Sequence, residues 1–247
     1  MDNDDKQVGR ILTRREVVAL LGVAGAGAVA TRLPAQPAAA AASSRVWVPA
    51  CVVTPAQTEG PYFVDEKLNR ADIRSDPGTG KVSAGALLDL EIRVYRVANG
   101  ACTPYKDAMV DIWQCDAMGL YSDVRDMNGF FNTAGQKFLR GYQMTDVAGV
   151  AKFSTVYPGW YQGRTVHIHF KVRSSADARA SEFTSQLYFD DAMSDKVFAK
   201  APYTEKTGNR TRNERDGIFG QGGRGLMLSV SERGAGYHAA FDIGVTG

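Results

Sequence analysis

Leu88, Leu90, Ile92 and Val94 alternate with Asp89, Glu91 and Arg93, so that every second side chain is apolar. A helix returns to the same face about every 3.6 residues and would scatter these side chains, whereas a strand puts all four on one side. The segment predicts a strand with one face on a core and the other in water. Similar short runs occur at 109–113, 141–145, 150–155, 165–172, 184–189, 226–230 and 237–243. Turn residues separate them, among them Asn99-Gly100, Asp146 to Gly149 and Pro158-Gly159. Only 194–199 offers a helical alternative. The expectation is an all-β fold, a β-sandwich of mostly antiparallel strands with few short helices. Three irregular stretches, 55–80, 122–137 and 201–225, exceed ordinary connectors and are expected to be functional loops.

The first 42 residues follow a different pattern. A polar start carrying Thr13-Arg14-Arg15 leads into a mild, Ala- and Gly-rich apolar run from Val17 to Ala30. Pro34, Pro37 and a run of small residues from Ala38 to Ser44 follow. A charged region, an apolar stretch and a small-residue cleavage site form the layout of an export signal, and the arginine pair points to the twin-arginine route. Residues 1–42 are assigned to that signal and 43–247 to one domain, long enough to enclose a single core. The spacing does not place the cleavage point.

Net charge over all 247 residues is +2, from 29 basic and 27 acidic side chains spread along the chain. No basic footprint for nucleic acid is visible. Beyond residue 42 no apolar run approaches the ~20 residues of a membrane span, so no stable membrane insertion is expected after processing. Cys51, Cys102 and Cys115 allow one disulfide and one free thiol in an exported protein, with the pairing open.

The chain has three histidines, and two stand as His167-Ile168-His169. On a strand they share a face while Val166, Ile168, Phe170 and Val172 fill the other. Two adjacent imidazoles are a natural pair of metal ligands, although the pattern is also common on plain strands. Just upstream, Tyr157-Pro158-Gly159-Trp160-Tyr161-Gln162-Gly163-Arg164 turns Tyr161 and Arg164 back towards them. A tyrosinate is a hard, anionic donor suited to ferric iron.

The stretch 157–170, YPGWYQGRTVHIHF, resembles the iron-binding signature of the intradiol ring-cleavage dioxygenases, the family of catechol 1,2-dioxygenase and protocatechuate 3,4-dioxygenase. Three further blocks are similar to that family and stand in its order: VDIWQCDAMGLY at 110–121, TSQLYF at 184–189 and TPAQTEGPYF at 54–63. The resemblance implies non-haem Fe(III) held by Tyr121, Tyr161, His167 and His169. It further implies Arg164, Tyr161 and Gln186 as catalytic residues, and Gly60, Pro61, Tyr62 and Trp160 at the substrate. Trp160 stands where better-known members carry proline, and the helical dimerisation region of the catechol branch has no counterpart here.

The implied reaction joins a small aromatic diol to O2. Tyr161 takes a proton from the diol, Arg164 stabilises negative charge on the ring, and the product is a cis,cis-muconate. Which catechol, and whether Lys137 or Arg140 binds a substrate carboxylate, is left open, as is the choice between a monomer and a small homo-oligomer. Two other readings compete. One is a cupin-like metal dioxygenase, for which His238 is the remaining histidine. The other is a metal-free β-sandwich binding module.

Overall fold

A computed structural model describes residues 52–174 and 181–246; the proposed signal, 1–42, and Cys51 lie outside the described residues. Sheet I joins β1 (Leu87–Ala98), β2 (Ala101–Pro104), β5 (Val150–Val156), β8 (Ser229–Arg233) and β9 (Gly236–Thr246). Its β1 runs parallel to β9 and antiparallel to β2 and β5. Sheet II is antiparallel throughout, in the order β4 (Arg140–Met144), β3 (Met109–Trp113), β6 (His167–Arg173), β7 (Glu182–Tyr188). A single α-helix, α1 (Asp191–Phe198), is found among the described residues, capped by the Asp190 carboxylate accepting from Met193 N at 2.9 Å. The all-β expectation holds. Among the described residues no helix is long and apolar enough to cross a membrane.

The alternation in β1 does what its period requires. Leu88, Leu90, Ile92 and Val94 are at most 1% exposed and share one core with Val110, Ile112, Ile168, Phe170 and Val172 of sheet II. Burying each such side chain contributes about 1.5–3 kcal/mol. Among the differences from the predicted strands, two have a clear physical reason. The run 226–230 enters its strand only at Ser229, because Gly223–Leu226 closes a 3-10 turn that buries Leu226 with Tyr188 and Phe219. The four-residue β2 has largely exposed residues and so lacks an apolar face for the sequence to reveal. Cys102 is disulfide-bonded, and Cys115 is a buried free thiol.

The two central strands of sheet II, β3 and β6, are buried on both faces. Every residue of β6 is buried, including His167, His169, Lys171 and Arg173 on the side turned away from the core. A strap formed by residues 54–66 covers that side. Gln57 N donates to Thr184 O at 3.1 Å, pinning the strap to the outer edge of β7. Lys171 Nζ meets Glu59 at 2.5 Å and lies 4.0 Å from the Phe63 ring centre. Arg173 meets Asp111 at 2.8 Å and Asp65 at 3.0 Å. The strap thus covers His169, Lys171 and Arg173, three polar side chains of one strand that could not otherwise be dehydrated cheaply.

Candidate active site

Strand register assembles the first part of the site. Antiparallel pairing sets Trp113 of β3 and Gln186 of β7 opposite His169, Arg140 of β4 opposite Trp113, and Tyr188 opposite His167. Paired residues share a face, so Arg140, Trp113, His169 and Gln186 form one row beneath the strap. The indole of Trp113 lies flat on the His169 ring, with centroids 4.9 Å apart and planes 6° apart. Over the ring edge sits Gly60 at φ 71°, where a Cβ would come 3.4 Å from His169 Cε1. The left-handed backbone and this close approach favour glycine there.

Three donor atoms converge. The Tyr121 hydroxyl lies 3.0 Å from His167 Nε2, which lies 3.0 Å from His169 Nε2. His167 Nδ1 is 2.6 Å from Thr165 O, a carbonyl that can only accept, so the proton is on Nδ1 and Nε2 presents a lone pair. Burial, reinforced by the Arg164 charge, lowers the His167 pKa to about 3. Burial also drives His169 well below its ordinary value, followed by the influence of His167 and Arg164. Both imidazoles are therefore neutral and able to ligate at physiological pH. His169 Nδ1 is buried without a hydrogen-bond partner, a loss tolerated where the ring has another task. The two Nε2 atoms, 3.0 Å apart, are close enough for both to ligate one metal ion. Among the described residues no group of three or more His, Cys, Asp or Glu could hold a metal, so the candidate set is a mixed His and Tyr one.

Tyr121 is brought in by the β3–β4 connection, and its pKa is driven well above the ordinary value by burial and the neighbouring Cys115, against the Arg164 charge. Tyr161 comes from the β5–β6 connection, its ring centre 6.0 Å from that of Tyr121. Its hydroxyl donates to Asp126 Oδ1 at 2.7 Å and lies 2.8 Å from the Tyr62 hydroxyl, which also reaches Asp126 Oδ1 at 2.6 Å. Burial works to raise the Asp126 pKa, but hydrogen bonds from Tyr161, Tyr62, Phe130 N and Asn128 N together hold the carboxyl below the usual range. Replacing Tyr62 by phenylalanine keeps the ring packed 4.9 Å from Tyr121 and removes one hydrogen bond to a charged acceptor. The expected loss is about 1.5–3 kcal/mol in denaturant unfolding.

Arg164 reaches the site from the turn that follows Tyr161. Its Nε donates to Asp216 Oδ2 at 2.8 Å and its Nη2 to Gln186 Oε1 at 2.7 Å. Gln186 is fully buried, and its Nε2 donates to Thr58 O at 2.9 Å. Both ends of this amide are engaged, which makes it a tie between the arginine and the strap. Pro61 is exposed at the turn that leads into Tyr62. The Trp160 ring packs against Lys206, whose Nζ is 4.3 Å from its centre, and against Gly208. Arg140 is 3% exposed and donates to Ser122 Oγ at 2.8 Å, Ser122 O and Tyr62 O. It braces the backbone beside Tyr121 and Tyr62, and Lys137 pairs with Glu66.

A family model described as Dioxygenase matches residues 58–219, which covers more than half of the chain and every residue placed at this site. An intradiol ring-cleavage dioxygenase from Tetranychus urticae superposes with a TM-score of 0.68 at 29% identity, covering 79% of this chain and 95% of that one. The chain belongs to the intradiol ring-cleavage dioxygenases. A dioxygenase domain from a carbohydrate-binding fusion protein of Streptomyces sp. SirexAA-E superposes at TM-score 0.56 and 26% identity, covering 79% of this chain and 99% of that domain. The protocatechuate 3,4-dioxygenase beta chain of Burkholderia cepacia is 28% identical over 160 residues, and the alignment spans 62% of the length of each protein.

For an intradiol dioxygenase, an oxidoreductase by family, two members of the constellation are absent from the sequence-based candidates. Asp126 lies in Asp126-Met127-Asn128-Gly129 and Asp216 precedes Gly217, and both patterns are ordinary turn signatures. Each carboxylate does cap its own turn, Asp126 through Asn128 N and Phe130 N, Asp216 through Ile218 N and Phe219 N. The second oxygen of each then reaches across the fold to Tyr161 or Arg164, and local spacing carries no trace of that reach.

Proposed function

We propose that this chain is a non-haem Fe(III) dioxygenase that opens the ring of a catechol between its two hydroxylated carbons, with O2, to give a cis,cis-muconate. The observation that carries the proposal is the 3.0 Å convergence of Tyr121 Oη, His167 Nε2 and His169 Nε2, with His167 fixed as a lone-pair donor. Those three residues would hold the iron, and Tyr161 is the fourth candidate donor. Bound ferric iron would supply the Lewis acidity that ionises the diol and makes its ring reactive towards O2. Both oxygen atoms enter the product, so no external reductant is consumed.

The chain's own residues would serve the reaction in three ways. Tyr161 Oη, held between Tyr62 and Asp126, provides a hydrogen-bonded place for a proton leaving the diol. Arg164 is a fixed cation whose field already reaches Tyr121, His167 and His169, and it would stabilise charge developing on the ring. Gly60 and the strap keep water from the His169 edge.

The test is the visible spectrum of the iron-loaded protein with and without catechol under nitrogen, followed by turnover in isotopically labelled O2. The expected result is a coloured protein whose band moves to longer wavelength with catechol and a ring-opened product carrying two labelled oxygens. A protein that stays colourless after iron loading and leaves catechol intact would instead support the binding-module reading. We also propose export of this protein by the twin-arginine route, which the bonded state of Cys102 supports. A precursor still exported after Arg14→Lys and Arg15→Lys would overturn that assignment.

A further inference from the structure

We infer that Asp216 is a positioning residue for Arg164, and that the stretch 213–221 exists to aim that guanidinium at the site. The inference rests on the ring-cleavage proposal, which gives Arg164 its task.

The Asp216 side chain is 1% exposed. One oxygen, Oδ2, accepts from Arg164 Nε and from Thr165 N, both at 2.8 Å. Its other oxygen accepts from Ile218 N at 2.8 Å and Phe219 N at 2.9 Å. Four N–H groups aimed at one carboxyl are satisfied together only by the ionised form, which carries no hydrogen to donate. Thr165 O is also the acceptor that fixes His167 Nδ1, at 2.6 Å. A single buried carboxylate therefore indexes the arginine against the backbone that orients a candidate metal ligand.

The loop is itself clamped from two directions. Thr165 Oγ1 donates to Asn213 Oδ1 at 2.5 Å, and Asn213 Nδ2 donates to Phe189 O at 2.9 Å. From the strap, Gln57 Nε2 donates to Ile218 O at 3.0 Å and Gln221 O at 3.2 Å, while Gln57 Oε1 accepts from Tyr188 Oη at 2.7 Å. Tyr188 Oη is 3.1 Å from Gln186 Oε1, the second anchor of Arg164. Asp216, Arg164 and Gln186 thus form a chain of hydrogen bonds, Gln57 ties the backbone of the Asp216 loop to Tyr188 beside it, and the guanidinium is gripped at two of its nitrogens. Held at one alone, a flexible arginine would rotate away from charge that develops at a fixed point.

The test compares wild type with Asp216→Asn, Arg164→Ala, Arg164→Lys and the Asp216→Asn/Arg164→Ala double variant. Iron content, kcat and KM for catechol are measured on iron-loaded full chains. Exchange of the Arg164 Nε–H with solvent is followed by NMR in the metal-free chain. Asp216→Asn is expected to keep its iron and its KM within about threefold while kcat falls about 10- to 100-fold, the usual reach of an outer-shell partner. The substitution should cause no further loss in the Arg164→Ala background, and the slow Nε–H exchange of wild type should become fast. Arg164→Lys, which keeps the charge but has no fork for Asp216, should lose kcat by a similar factor.

Wild-type kcat in Asp216→Asn, losses that multiply in the double variant, or wild-type kcat in Arg164→Lys would each overturn the inference. The Arg164→Lys arm does not depend on Asp216→Asn folding. If wild type cleaves no catechol while Nε–H exchange still responds to Asp216→Asn, the ring-cleavage proposal fails and the anchoring stands.

Discussion

With His169 replaced by leucine, the purified chain should retain no iron, and ring cleavage should fall at least about 100-fold, the loss that follows removal of a mere outer-shell partner. His169 has no structural substitute at its position. Its Nε2 is 3.0 Å from His167 Nε2, and its ring is fixed by the flat Trp113 indole beneath it. Leucine keeps an apolar body against that indole and removes a ring nitrogen that is buried without a partner. The fold should therefore survive the change. Metal analysis and a thermal unfolding curve on the same sample check both parts. An iron-replete His169→Leu protein would remove His169 from the candidate ligand set.

Arg173→Met should cost about 3–5 kcal/mol of folding stability, the range for removing one partner of a buried ion pair. Arg173 Nε and Nη2 donate to the two carboxylate oxygens of Asp111 at 2.8–3.0 Å, and Nη1 donates to Asp65 of the strap at 3.0 Å. Asp111 is 7% exposed, so its carboxylate cannot recover the lost partner from water. The double variant Asp111→Leu/Arg173→Met replaces the pair by apolar groups and should regain most of the loss, because the stranded charge is gone. Urea unfolding of both variants measures the difference. A single variant within 1 kcal/mol of wild type, as for a surface pair, would contradict the enclosed geometry.

The strands were legible because their signal is local. β3 runs from Met109 to Trp113 as its apolar run predicts, and the β6 alternation separates the core-facing Ile168 and Phe170 from the histidines opposite. The motif blocks placed Tyr121, Tyr161, His167, His169, Arg164 and Gln186 in one region, where the structure brings Tyr121 and the two histidines into direct contact. Sequence could not show that β6 is enclosed on both faces, because the cover comes from a strap more than 100 residues away along the chain. Nor could it show that the amide of Gln186 is engaged at both ends, or that the carboxylates of Asp126 and Asp216 serve two purposes each. Such contacts depend on tertiary placement, which leaves no periodicity to read.

The strap also imposes an order of events during synthesis. Thr54 N bonds Gly244 O at 2.9 Å, and Gly244 N returns a bond to Thr54 Oγ1 at 2.9 Å across a separation of 190 residues. A ribosome adding about 5–20 residues per second takes roughly 10–40 s to cover that separation. Throughout that interval the strap has no β9 partner at this end, and loop-closure entropy opposes its docking. Gly60 and Tyr62 gain this remote anchor only once nearly the whole domain has emerged. Closure of the site is thus a late and cooperative event, and a nascent chain cut short before β9 would carry both histidines without a fully anchored cover.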